Sequence, residues 1–185
     1  MSRHPNLLNR NEAALIIIDV QERLAAVMEH RERVIANIEK LIKGCQILKV
    51  PIYYTEQYPK GLGRTEKALL QLLQGIDPVV KMSFSACCEL SLMQPLQNAN
   101  ITQVIITGME AHVCVLQSAF DFLYAGFSVQ VVSDAVCSRK EMDWDVALMR
   151  MSSNDITVTT TESVLFELTE VSGTDEFKQV AKLVK

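Results

Sequence analysis

The sequence predicts an α/β domain with a mainly parallel sheet, and two observations carry that expectation. Six short apolar runs, rich in β-branched residues, alternate with segments whose apolar residues recur at helical spacing. The first run, "AALIIIDV" at residues 13 to 20, is continuously apolar, as a strand covered on both faces should be. Alternation of this kind builds a parallel sheet with helices on its faces.

The elements follow in order. Residues 1 to 12 are polar and read as a mobile arm, and residues 13 to 185 as one domain. From about residue 29 to 49, Val34, Ile35, Ile38, Leu41, Ile42, Cys45 and Leu48 form one helical stripe. "PIYYTE" (51 to 56) is the second strand, and "QYPKGLGRT" is a loop without the third glycine or GK[ST] of a phosphate-binding loop. A helix around 65 to 74 leads to the short strand "PVVK" (78 to 81), and one near 89 to 98 to a strand at 103 to 107. A helix then runs from the region of Cys114 to a stop at Gly126. The strand "SVQVVSD", a helix near 143 to 152, the strand "ITVTT" and helices near 161 to 168 and 174 to 184 complete the chain. The apolar stripe Phe177, Val180, Ala181 and Val184 of the last helix suits packing on its own domain or a subunit contact.

Bulk properties narrow the function. A net charge of -4 gives no basic face for nucleic acid or anionic membrane. The longest apolar stretches are too short to cross a bilayer, and the start lacks the apolar core and cleavage site of a secretory signal. Five cysteines, with no CxxC and no zinc-type Cys/His spacing, read as reduced thiols in a cytoplasmic compartment.

In an open parallel sheet, ligands bind beyond the carboxyl ends of the strands. That rule selects Asp19, Glu56, Lys81, the stretch from Gly108 to Cys114, and Asp134. Many polar residues at such positions only cap helices. Asp19 stands out because it follows an apolar run, where burial raises a carboxyl pKa and a nearby cation lowers it. Lys81, ending a strand near the sheet centre, could supply that cation. Cys114 at a helix start gains from the helix dipole and free backbone N–H groups, yet a packed, inert cysteine is the commoner outcome. A Cys-His pair is not expected, since His112 lies two residues from Cys114 and helical neighbours at that spacing do not face each other.

The stretches "IIIDVQ", "VVKMSFSA", "ITGMEAHVCVLQSA" and "VQVVSDAVCSR" together resemble the isochorismatase-like cysteine hydrolases, over roughly residues 15 to 160. "TEQYPKGLGRT" is most similar to the small isochorismatase-domain branch of undefined substrate, some members of which were once labelled ribonucleases. Nothing basic or aromatic in this chain supports that label. The resemblance implies a three-layer, Rossmann-like sandwich with strand order 3-2-1-4-5-6 and a catalytic triad of Asp19, Lys81 and Cys114. It further implies a cis peptide between Met109 and Glu110, aiming the amides of Glu110 and Cys114 at one point as an oxyanion hole. Gln21 and Phe84 match positions near the pocket, and Asp134 a structural position at a strand end.

The region after the second strand has no histidine, so the metal site of the nicotinamidase branch is not expected, nor any cofactor. Retention of Cys114 points to hydrolysis of an amide-type C–N bond rather than the vinyl ether chemistry that named the family. The family implies a small-molecule substrate and a homo-oligomer. A non-catalytic binding or scaffold protein on the same fold is the alternative, and a redox thiol would need a resolving cysteine that the sequence does not place.

Overall fold

The computed structural model describes residues 3–185. Its elements alternate along the chain: β1 (Ala13–Ile18), α1 (Glu22–Ala25), α2 (Arg31–Leu48), β2 (Ile52–Gln57), α3 (Pro59–Leu62), α4 (Lys67–Leu72) and β3 (Val79–Lys81) form the first half. A 3₁₀ turn (Ala86–Cys88), α5 (Leu90–Asn98), β4 (Gln103–Met109), a π-helical turn (Ala111–Val115) and α6 (Leu116–Tyr124) follow. The chain continues through β5 (Ser128–Cys137), α7 (Glu141–Ser152), β6 (Thr157–Thr159), α8 (Thr161–Thr169) and α9 (Asp175–Leu183).

The six strands are all parallel, in the order β3-β2-β1-β4-β5-β6. Every residue of β1 and β4 is buried, because helices cover both faces. Alternation along β1 feeds two cores. Leu15 and Ile17 pack with Ile38, Leu41 and Ile42 of α2 and Leu165 of α8, while Ile16 and Ile18 pack with Leu92 and Leu96 of α5 and Phe122 of α6. Each such side chain contributes roughly 1.5–3 kcal/mol on burial.

Gly108 is required where β4 passes β1. Its φ is +121°, and an added Cβ would lie 1.9 Å from the backbone oxygen of Ile18. Backbone cannot yield as a side-chain tip does, so any other residue would push apart the two central strands.

Some elements differ from the sequence expectation. Residues 3–12 of the expected arm are not detached, and residues 1 and 2 lie outside the described residues. Leu8 is buried, its N–H donates to Glu167, and the N–H of Asn9 donates to the Gln103 side chain. Two adjacent leucines, Leu7 and Leu8, in a polar segment gave no periodicity to detect. The loop after β2 contains the short helix α3, with Pro59 at its first turn. β5 runs on to Cys137, so Asp134 lies within it rather than at its end. The Asp134 carboxylate accepts from the N–H and hydroxyl of Thr161, both at 2.9 Å, fixing the start of α8. The α9 stripe turns toward its own domain, with Val180 buried and Phe177 against Phe166.

Candidate active site

The sheet order reverses between β1 and β4, which opens a crevice at their carboxyl ends. Asp19 follows β1 directly, fully buried, with φ +51°. That left-handed turn stops the strand and lets the Asp19 side chain meet groups from β2 and β3. Its Oδ1 accepts from the Thr55 hydroxyl at 2.7 Å and its Oδ2 from the Lys81 ammonium at 2.7 Å. The backbone N–H of Asp19 donates back to Thr55 Oγ1 at 3.2 Å.

Lys81 is only 1 % exposed at the end of β3, and the Asp19–Lys81 ion pair lies wholly out of water. A buried ammonium is tolerable only when paired and hydrogen-bonded. Besides Asp19, Nζ faces Gln57 Oε1 at 2.7 Å, the Phe84 carbonyl at 2.9 Å and the Ser83 carbonyl at 3.2 Å. Three N–H bonds thus meet four protein acceptors. The ammonium is held in one position.

Cys114 sits in the π-helical turn after β4, 6 % exposed, with Asp19 and Lys81 as the charged groups acting on its sulfur. Its pKa is pushed up to about 12. Burial is the largest cause, the Asp19 carboxylate adds to it, and Lys81 opposes it. The helix start and the cation were expected to favour thiolate. Instead the thiol rests protonated, because the sulfur is desolvated and the Lys81 charge is already offset by Asp19.

The turn itself is firmly tied. The Glu110 carbonyl accepts from the N–H groups of Val113 and Val115 at 3.1 and 3.3 Å. Ser118 donates to the Cys114 carbonyl at 2.6 Å and accepts from the N–H of Ala86 at 2.9 Å, joining the turn to the segment after β3. The Met109–Glu110 peptide is cis, and the Glu110 carboxylate accepts from the backbone N–H and Nε of Arg139.

The remaining sequence candidates have other partners. Gln21 is buried, and its amide goes to backbone: Nε2 to the carbonyls of Gln57 and Gly63, Oε1 from the N–H of Gln57. It clamps the end of β2 to the following loop. Phe84 is 53 % exposed, and it is the Phe84 carbonyl that reaches Lys81. Glu56 holds Thr65 through its N–H and hydroxyl. His112 pairs with Ser138 and lies 3.8 Å from Asp143. Among the described residues, no group of three or more His, Cys, Asp or Glu side chains is placed to share a metal ion.

Thr55, Gln57 and Ser118 were missed by sequence reading. Thr55 and Gln57 are two apart on β2, so both face Asp19 and Lys81 while Glu56 faces away. A Thr-x-Gln at the carboxyl end of a strand beside the candidate carboxylate was the available signal.

Comparisons with known proteins identify the family. The model of the Isochorismatase domain matches residues 13–163. Isochorismatase family protein 1B of Dictyostelium discoideum is 38 % identical over 177 residues, covering 94 % of this chain and 86 % of the relative. Isochorismatase domain-containing protein 2 of Danio rerio is 36 % identical, covering 96 % and 89 %. A solved structure described as the MAR1 ribonuclease from Caenorhabditis elegans superposes with a TM-score of 0.91 at 36 % identity, covering 96 % of this chain and 92 % of that one. The chain belongs to the isochorismatase family.

Proposed function

We propose that this chain is a cysteine hydrolase that cleaves a small amide-type substrate through a thioester on Cys114. The observation that carries the reading is the convergence of Cys114 with the buried Asp19–Lys81 pair. Because the thiol rests protonated, it needs a base, and Asp19 retains lone pairs beyond those used by Thr55 and Lys81.

Asp19 takes the thiol proton as sulfur attacks the carbonyl carbon, and the C=O electron pair moves onto oxygen. The amides of Glu110 and Cys114 hold that oxyanion. Collapse restores the carbonyl and breaks the C–N bond, and the leaving nitrogen takes the proton from Asp19 and departs as ammonia or an amine. Water then attacks the thioester while Asp19 accepts its proton. The thiolate leaves, recovers that proton, and a carboxylic acid is released. Lys81 holds the Asp19 carboxylate in place and offsets the developing negative charge on sulfur. No metal or cofactor enters these steps.

The test is trapping. A panel of small amides, carbamoyl compounds and esters is offered to native protein and to Cys114→Ala, with turnover and intact mass recorded. An acyl adduct on native protein alone supports the reading, and undiminished turnover in Cys114→Ala overturns it. A non-catalytic binding protein is a second reading, favoured by the low exposure of the sulfur. Inertness of Cys114 to mild alkylation, with no adduct from any panel member, would select it.

The ribonuclease description belongs to the nematode protein. Here a net charge of -4 supports a small-molecule substrate over RNA. Five free cysteines fit a reducing cytoplasm, and no helix among the described residues is long and apolar enough to cross a membrane.

A further inference from the structure

Helix α7 presents an apolar face to solvent. Met142, Val146 and Met149 are 70, 40 and 60 % exposed. At 100° per residue they fall on one stripe of the helix. Beside the stripe lies a groove of about 240 Å³, lined by His112, Leu116, Asp143, Val146, Ala147 and Arg150. Charge flanks it in a definite pattern. Asp143 and Arg150 are seven residues apart and therefore share one flank, but at about 1.5 Å of rise per residue they are too distant to pair with each other. Asp143 has only a 3.8 Å approach to His112, and Arg150 rests over the Phe120 ring at 5.9 Å.

We infer that this face is a two-fold contact between two copies of the chain, with the α7 helices antiparallel. Charge complementarity selects both partner and orientation. In antiparallel pairing like flanks meet, so an axis between Val146 and Ala147 sets Asp143 of each copy opposite Arg150 of the other, twice. The opposite flank brings Glu141 against Ser152 and Asp145 against Leu148, with no like charges facing. A parallel pair would instead bring the acidic first halves of the helices (Glu141, Asp143 and Asp145) together. The stripe then buries against itself, with methionines able to fill an irregular groove.

The groove's lining includes His112, in the turn that carries Cys114, and Leu116 of α6. Pairing therefore braces that turn from outside. The contact is independent of the hydrolase reading, and its test needs no substrate.

The test is charge reversal read by light scattering and sedimentation over a broad dilution series. Asp143→Arg and Arg150→Asp should each halve the mass of the native assembly, since each sets like charges across the axis. The double reversal restores opposite charges and should recover the native mass. Val146→Glu, at an exposed position, should also halve it. Circular dichroism melts confirm that each variant is folded. Native protein that is monomeric throughout, or single reversals that keep the native mass, would overturn the inference. So would a double reversal that stays at half mass while folded.

Discussion

Cys45 and Cys114 have thiols pushed to the same pKa, about 12, in two unlike regions. Cys45 is in the middle of α2, fully buried among Val34, Leu41 and Leu48, and burial alone sets its value. Cys114 lies in a turn at the sheet's carboxyl edge, where burial, Asp19 and Lys81 act together and partly against one another. An apolar surrounding locks a thiol in its neutral form. Opposed charges leave one whose proton can move when a substrate alters the balance. The same resting state therefore has two meanings, and only the neighbours distinguish them.

The largest effect expected is on turnover. Cys114→Ala should abolish it, whereas Cys45→Ala should leave the chemical step intact and cost only packing. The contrast is measured by assaying both variants on the same substrate, and similar losses would erase it.

The next effect is on stability. Lys81→Met strands a buried Asp19 carboxylate, which should cost about 3–5 kcal/mol in denaturant unfolding. The double variant Asp19→Leu with Lys81→Met removes both charges and should recover part of that loss. No recovery would mean that the ion pair is not what the surrounding structure accommodates.

Asp19→Asn sharpens the comparison from the other side. Burial and Asp19 raise the Cys114 pKa and Lys81 lowers it, so removing the carboxylate leaves burial opposed by the cation. Alkylation of Cys114 by iodoacetamide at mildly alkaline pH should speed up by at least about ten-fold, one pKa unit of thiolate. Turnover should fall in the same variant. Cys45 should stay unreactive in both proteins, read by peptide mass.

The smallest effect is alkaline destabilisation. A thiol whose folded pKa lies above its unfolded value of 9.0 contributes fully below pH 9, and the contribution is lost as pH rises toward about 12. For Cys45 the loss by pH 10 should be about 1.4 kcal/mol, the equivalent of one pKa unit. Cys45→Ala should flatten the pH dependence of unfolding by that amount above pH 9 and leave it unchanged below.

The residues flagged from sequence met different fates for physical reasons. Asp19 was legible because a carboxylate directly after "LIII" has no solvent-facing explanation. Lys81 was legible only jointly with Asp19, since a lone strand-end lysine is ordinarily solvated. Gln21 and Phe84 were placed near a pocket by resemblance, but side-chain direction is not written in a motif. Gln21 turns its amide to the backbone of β2, and Phe84 contributes its carbonyl. Leu8 hides within a polar segment, and its burial beneath α8 becomes visible only when chain ends are brought together.

By itself, the sequence determined the alternation of strands and helices, because hydrophobic period is a local property that any window displays. It also marked Cys114, Asp19 and Lys81 as strand-end residues with chemistry to offer. Only the tertiary structure decided that Asp19 uses Thr55 and Lys81 as partners, that Gln57 completes the ammonium's shell, and that the resting thiol is neutral. Those are consequences of distance and desolvation between segments far apart in the chain, and neither quantity exists until the sheet has assembled.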